Sequence, residues 1–251
     1  MTTLFDELFV SMYGCSNVDV YDLKSLDKKR FLSLGLCIGR DIVSSPVTKC
    51  LYILDRVIKK IDHSLKISCW SSNRNGNDVP ESLAITPTTD IVVVYQKPLV
   101  LRIFNCNEVF MREVVVEAGI GNALHAAVLP TERYIVTRRG EGSTISMVGE
   151  DGFQGPVRHY TEHGTKLHVA LPYHVVVDKK GYVLVADRAK DIILLLSPSL
   201  EFIRVLLSQK SGLRSPWRLY LNEEHGLLFV GQYRSIGGIV SIFRIKELDS
   251  Y

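Results

Sequence analysis

The stretch LPYHVVVDKKGYVLVADRAKDIILLLSPSLEFIRVLL, from Leu171 to Leu207, decides the fold. It contains four short runs of large apolar and β-branched residues, separated by Gly, Pro, Asp, Lys and Ser. Each run has the composition and length of a typical strand, and the residues between the runs are those that favour turns. The stretch therefore predicts a small antiparallel sheet of four strands.

The same unit recurs along the chain. Pro216 lies 44 residues after Pro172 and begins PWRLYLNEEHGLLFVGQYRSIGGIVSIFRI, in which a large residue and three apolar runs follow in the same order. Less regular copies begin at Arg40, Pro80 and Leu124. One position near the start of each first strand can be aligned in all five copies, at spacings of 41, 43, 49 and 44 residues: Asp41, Ser82, His125, His174 and Arg218.

A period of roughly 40 to 50 residues with four strands per period is typical of a β-propeller. We therefore predict an all-β chain, one domain over residues 1–251, with about six four-stranded blades. The segment ELFVSMYGCSNVDVYDLKSLDKKRFLSLG supplies the second, third and fourth strands of the first blade, and the last copy ends after its third strand. Both terminal blades are thus predicted to be incomplete, so either the propeller closes with short blades or the chain is a fragment.

Composition excludes several classes of protein. No stretch approaches the roughly 18 apolar residues of a membrane span, so we expect no membrane association. The five cysteines are scattered and odd in number, which argues against a disulfide framework and favours a cytoplasmic, reducing location. A net charge of +3 is too small to imply nucleic acid by itself.

Basic residues follow the second strand of each recognisable copy, and aromatic residues accompany them. In a propeller these loops share a face with the start of the first strand, so we predict a basic surface for acidic peptide or phosphate. Tyr95, Tyr173 and Tyr233 could also stack on nucleic-acid bases. The predicted binding residues are Arg56, Lys97, Arg138, Arg139, Arg188, Arg234, His125, His174, Trp217 and Arg218.

The aligned position of the first strand carries residues of mixed chemistry. His125, His174 and Asp41 are suitable ligands for a divalent metal, but Ser82 and the positive Arg218 complete the set. A solvated polar rim is therefore favoured over a metal site, and we predict no metal or other cofactor.

The segment LPYHVVVDKKGYVLVADRAKDIILLLS resembles an NHL repeat, in which a Pro, a strand ending in Asp, a Gly turn and a strand ending in Val-Ala-Asp follow in order. The family places Asn and then Arg after Val-Ala-Asp, whereas here Arg188, Ala189 and Lys190 follow. The whole chain is also similar to the propeller portion of tripartite-motif-like invertebrate proteins. This resemblance implies a module that binds protein partners or, in some members, single-stranded RNA.

An enzymatic function has less support in the sequence. Six-bladed hydrolases of the lactonase type need several acids and amides around a calcium ion, and Asp41 is the one acid at the aligned position. No nucleophile elbow, P-loop or zinc-protease motif is present. We expect a non-catalytic scaffold that binds a protein, with single-stranded RNA as the alternative ligand and a calcium-dependent hydrolase as the least favoured reading.

Overall fold

The structure is a computed structural model that describes residues 1–12, 15–34, 39–55, 57–70, 78–116, 122–140, 143–149, 169–233 and 238–245. It is all-β, with six small antiparallel sheets whose strands follow in chain order, and it confirms the predicted fold class, a β-propeller of six blades. A single 3-10 turn, Gln209–Ser211, is the one helical element among these residues. None of the described helical segments is long and apolar enough to cross a membrane.

The first compact unit, Met1–Val115, holds three four-stranded blades. Their strands are β1 (Thr2–Leu4), β2 (Glu7–Ser11), β3 (Asn17–Asp22), β4 (Lys28–Ser33), β5 (Asp41–Ser45), β6 (Cys50–Leu54), β7 (Ile58–Ile61), β8 (Ile67–Trp70), β9 (Pro80–Ile85), β10 (Ile91–Gln96), β11 (Leu99–Phe104) and β12 (Phe110–Val115).

The second compact unit, Val116–Tyr251, holds the other three blades. Their described strands are β13 (Asn122–Val128), β14 (Tyr134–Arg139), β15 (Thr144–Val148), β16 (Pro172–Val177), β17 (Val183–Asp187), β18 (Ile192–Leu196), β19 (Phe202–Leu207), β20 (Pro216–Asn222), β21 (Leu227–Tyr233) and β22 (Gly238–Arg244). The sheets β13–β15 and β20–β22 have three strands each within the described residues.

The first blade corrects one prediction. The short strand β1 pairs with β2 through Thr2, Thr3 and Leu4, so this blade has four strands and is not incomplete. The sequence hides β1 because three residues of mixed polarity carry no alternation from which a strand could be recognised. Within the described residues, the last blade shows the three strands that were predicted for it.

Continuous apolar runs arise because both faces of the inner strands are buried. In β17, Val183 and Val185 belong to the core shared with the preceding blade, whereas Leu184 and Ala186 belong to the core shared with the following blade. A four-stranded sheet cannot cover both of its own faces, so neighbouring blades within a unit cover one another. The outermost strands are the exception, since five of the six residues of β4 are exposed.

Candidate recognition surface

A β-bulge recurs at the start of the first strand and re-aims one side chain in four of the blades. In β16, the residues on both sides of Tyr173 pair with β17, and Tyr173 lies outside the ladder. Trp217 has the same position in β20, and Glu81 and Leu124 have it in β9 and β13. The bulge therefore explains why a large residue can follow Pro172 and Pro216 without disturbing the sheet.

The two bulged aromatic residues of neighbouring blades contact each other and form a cluster with Tyr233 and Arg188. The ring centroids of Tyr173 and Trp217 are 4.1 Å apart, and those of Trp217 and Tyr233 are 5.6 Å apart. The guanidinium carbon of Arg188 lies 4.4 Å from the centre of the Trp217 ring, 5.1 Å from that of Tyr233 and 5.7 Å from that of Tyr173. We call these four residues the Arg188 cluster.

Exposure within the Arg188 cluster is graded. Tyr173 is buried, Trp217 and Arg188 are half-buried, and Tyr233 is 54% exposed. A cation over the faces of several rings is attracted by their negative π-faces, and desolvation strengthens that attraction. The cluster thus holds a positive charge and an exposed aromatic side chain in fixed positions on the second unit.

Asp187 fixes the backbone that carries two residues of the Arg188 cluster. Its side chain is fully buried, and its carboxylate accepts hydrogen bonds from the backbone N–H groups of Ala170, Leu171, Ala189 and Lys190, at 2.7, 3.1, 3.1 and 3.3 Å. These bonds fix the chain that leads into Tyr173 and the turn that carries Arg188.

Gln232 has the same position in the last blade, since it pairs with Pro216 as Asp187 pairs with Pro172. Its side-chain oxygen accepts the N–H of Arg214, two residues before Pro216. Ala170, which donates to Asp187, also lies two residues before the corresponding proline. A side chain at the end of the second strand therefore anchors the start of the first strand in both blades.

The aligned position of the first strand forms a link between blades. Asp41 accepts the N–H of Ile42 at 3.0 Å and, with its other oxygen, the N–H of Leu83 in the next blade at 2.9 Å. In the second unit, Nδ1 of His174 accepts the N–H of Leu219, also in the next blade, at 3.4 Å. The observed role of His174 is thus structural, as a hydrogen-bonded link between two neighbouring blades.

His125 and His174 correct the expectation of a solvated polar rim. Both are 5% exposed, and their rings stack with centroids 3.6 Å apart. Burial holds the pKa of His174 well below the ordinary value of 6.5, and the charges of His125 and Arg218 lower it further. At neutral pH, His174 is therefore the uncharged acceptor that the Leu219 bond requires.

This histidine predicts a pH-dependent stability. Below about pH 6.5 the unfolded state binds a proton on His174 and the folded state does not. The free energy of unfolding is therefore unaffected by this group above that pH, and it falls as the pH is lowered towards the depressed pKa of the folded state. The expected slope is up to about 1.4 kcal/mol per pH unit. Urea midpoints from pH 8 to pH 5 should fall less steeply for His174→Gln than for the wild type. Parallel curves over the whole range would contradict the assignment.

The predicted bases do not share one position. Pairing register makes Arg139 the equivalent of Arg188, since each follows the second-strand residue that pairs just before the bulge. Lys97 lies one residue later, in the turn after β10. Arg138 lies one residue earlier and is buried. The same bulge precedes all four positions, so the offsets lie in the second strands and their turns, where the apolar pattern does not fix the register to a single residue.

The other predicted residues differ in exposure. Tyr95 is fully buried, so it cannot stack on a ligand from solution, whereas Lys97 and Arg139 are exposed. Arg218 is half-buried, and its guanidinium carbon lies 5.9 Å from the centre of the Tyr173 ring. Arg56 and Arg234 lie outside the described residues.

One buried ion network was not predicted from the sequence. Arg102, in the middle of β11, is 2% exposed and contacts Asp78 at 2.6 Å and Glu113 at 2.8 Å. Its guanidinium carbon also lies 4.5 Å from the centre of the Tyr95 ring. A lone arginine inside an apolar run was the only hint, because the partners are 24 and 11 residues away.

Comparison with known proteins supports the fold and no particular function. No protein-family model and no curated protein match the sequence. Three solved structures illustrate the similarity in fold. A Bacteroides caccae protein of unknown function has a TM-score of 0.74 and 12% identity, over 91% of this chain and 83% of that one.

A chain from a nidogen/laminin complex has a TM-score of 0.73 and 16% identity, over 93% of this chain and 88% of that one. Hydrazine synthase from Kuenenia stuttgartiensis has a TM-score of 0.70 and 13% identity, over 97% and 82%. At such low identities the similarity shows the shared fold alone, and this fold supports many unrelated functions.

Proposed function

We propose that this chain is a non-catalytic recognition module that binds a protein partner through the Arg188 cluster. The observation that carries the proposal is the guanidinium of Arg188 held over three aromatic rings, one of which, that of Tyr233, is exposed. Trp, Tyr and Arg are the residues most enriched at the energetic centres of protein interfaces. An arginine that is already ordered loses little conformational freedom when a partner binds.

Two further points support the proposal. The resemblance to NHL repeats implies a protein-binding surface, and one chain of similar fold comes from a complex of nidogen with laminin. Asp41, the acid that a calcium-dependent hydrolase would need, has both carboxylate oxygens engaged by backbone N–H groups. It serves as an anchor between two blades, which favours a scaffold over an enzyme.

The test is site-specific photo-cross-linking in cells that express the chain. With a benzophenone amino acid in place of Tyr233, we expect a discrete cross-linked product. The same substitution at Phe31, which is 57% exposed on an outer strand of the first unit, is the matched control and should give no such product. Equal products at both positions, or none at position 233, would refute the proposed surface.

The Arg188 cluster also predicts which side chains dominate affinity. Trp217→Ala should weaken binding of the cross-linked partner, once identified, by about 2 kcal/mol or more, roughly thirtyfold in Kd. Since Trp217 is half-buried, the melting temperature of the Trp217→Ala variant should be checked. Tyr233→Ala, at an exposed position, serves as the second variant. The affinity is measured by calorimetry, and unchanged affinity in both variants would exclude the cluster.

Single-stranded RNA is the second candidate ligand, favoured by the stacked Trp217 and Tyr233 rings beside a cation. A cross-linked product that disappears after nuclease treatment would replace the protein partner with RNA. Binding that weakens steeply with salt would agree with that outcome.

A further inference from the structure

Arg188 has no acidic or hydrogen-bonding partner for its guanidinium within the described part of the chain. The neighbouring Asp187 is fully buried and bonded to backbone N–H groups. Asp191, three residues further on, accepts hydrogen bonds from the side chain of Gln209 and the N–H of Ser215. Both nearby carboxylates are therefore engaged elsewhere, and the guanidinium is held by aromatic rings.

This arrangement leaves the donors of the guanidinium available. An arginine side chain carries five N–H donors in a planar fork that matches the two oxygens of a carboxylate or phosphate. The rings of Trp217 and Tyr233 hold the cation but accept no conventional hydrogen bond from it. The geometry thus combines a positioned fork with unused donors.

The local charge favours a negative ligand. A second guanidinium, that of Arg218, lies beside the cluster, with its carbon 5.9 Å from the centre of the Tyr173 ring. The two acids of the same segment, Asp187 and Asp191, have their oxygens occupied by N–H groups. An approaching oxyanion therefore meets positive charge without a competing free carboxylate among these residues.

We propose that the Arg188 cluster is an oxyanion site that takes a carboxylate or phosphate group of an acidic segment in the protein partner. This inference rests on the proposed function, because it assigns the chemistry of the group that the same surface binds. A bidentate, charge-assisted contact to Arg188 fixes the orientation of the ligand, and the exposed ring of Tyr233 contacts the residue that carries it.

Arg139 provides a matched comparison within the same unit. It occupies the equivalent register position, as the last residue of β14, and is exposed. None of the aromatic rings described in the structure lies over it. Arg139→Gln therefore removes one surface charge from the same kind of position and leaves the aromatic support of Arg188 intact.

The experiment uses Trp217 as an internal reporter. The chain has two tryptophans, so Trp70→Phe leaves Trp217 as the sole tryptophan, whose fluorescence is excited selectively over that of tyrosine. Three acetylated and amidated pentapeptides, with phosphotyrosine, glutamate or tyrosine between pairs of glycines, are titrated into this chain. If Trp70→Phe lowers the melting temperature, calorimetry on the wild-type chain replaces fluorescence.

We expect a saturable change with an acidic peptide and none with the tyrosine peptide. Arg188→Gln should weaken this binding by roughly tenfold to a hundredfold, as expected for loss of hydrogen bonds to a charged group, whereas Arg139→Gln should change it less than about threefold. Arg188→Lys should recover only part of the affinity, because a lysine keeps the charge and loses the fork. Binding of the phosphopeptide alone identifies phosphate as the source, and binding of both acidic peptides identifies a carboxylate as sufficient.

The inference is overturned if neither acidic peptide binds, or if Arg188→Gln and Arg139→Gln have equal effects. Its failure is distinguishable from that of the proposed function. A cross-link at position 233 without peptide binding would keep the protein interface and remove the oxyanion site. Peptide binding that depends on Arg188 without any cross-link would keep the site and remove the interface.

Discussion

Replacement of Arg102 by leucine is expected to lower the free energy of unfolding by about 3–5 kcal/mol, because it breaks a buried ion network by removing one partner. Asp78, which contacts Arg102 at 2.6 Å, is 5% exposed and would remain as an uncompensated buried carboxylate. Glu113 is 32% exposed and can turn to solvent. Most of the loss therefore comes from Asp78.

The raised pKa of Arg102 agrees with a buried charge that is held by its two acidic partners. Burial alone disfavours the charged guanidinium, but the hydrogen bonds to Glu113 and Asp78 outweigh it, so the pKa lies above its ordinary value. The charge is thus stabilised by its partners in the folded state. Loss of one partner removes that stabilisation and leaves the other charged group buried without a counter-charge.

Arg30→Leu is the matched control for Arg102. Arg30 donates two hydrogen bonds of 2.6 Å to the carboxylate of Glu7, but its side chain is 39% exposed. An exposed pair of this kind contributes under about 1 kcal/mol even with good geometry. Urea unfolding of both variants checks the prediction, and equal losses would contradict the buried network.

A double variant separates the burial of charge from the loss of packing. Arg102→Leu combined with Asp78→Leu removes the unpaired carboxylate, so it should be more stable than Arg102→Leu alone. If the double variant is instead less stable by the sum of both single losses, the two side chains act independently.

The repeat, the strands and their order could be predicted from the sequence because each depends on local patterns. The apolar runs of β16 to β19 and the turn at Gly181, with φ of +88°, need no knowledge of distant residues. A glycine is favoured there because positive φ is strained for other residues. Short-range composition therefore carries the fold.

The surface could be predicted only in part, because it depends on register. The recurrence of large residues at Tyr173 and Trp217 is visible in the sequence, but the bulge that takes them out of the ladder is not. A shift of one residue also separates the exposed Arg139 from the buried Arg138. Since side chains alternate between faces, such a shift decides which base reaches solvent.

The Arg188 cluster could be named but not assembled from the sequence. Arg188, Trp217 and Tyr233 were each candidates, yet nothing in their spacing of 29 and 16 residues indicates a common contact. The conjunction requires two neighbouring blades and two bulges in the same phase. It also requires that Asp187 bond to backbone N–H groups and not to Arg188, so that the guanidinium lies against the rings.

Replacement of Asp187 by alanine should affect both stability and the Arg188 cluster. The carboxylate is fully buried and accepts four backbone hydrogen bonds, so alanine leaves those donors unsatisfied. Each buried unsatisfied donor costs about 1–3 kcal/mol, but part of this loop is close enough to solvent to recover some bonds. We expect a total loss of about 3 kcal/mol, in the upper range for single substitutions.

Asp187→Asn tests the hydrogen-bond explanation with nearly the same volume. Its single amide oxygen can satisfy some of the four N–H groups, as the oxygen of Gln232 does for Arg214 in the last blade. The asparagine variant should therefore lose about half as much stability as the alanine variant. Asp62→Ala is the more accessible control, since Asp62 also accepts backbone N–H groups but is only half-buried, and its loss should be the smallest of the three.

The same variants connect stability to recognition. Asp187 fixes both the chain before Tyr173 and the turn of Arg188, so its loss should release the guanidinium from the Trp217 ring. In the Trp70→Phe background, Trp217 fluorescence of folded Asp187→Ala should shift towards that of Arg188→Gln, whereas Asp62→Ala should match the wild type. A normal Trp217 signal in destabilised Asp187→Ala would show that the rings alone position Arg188. A shifted signal would make Asp187 the positioning residue of the surface, because the bond network beneath it would then determine where the arginine lies.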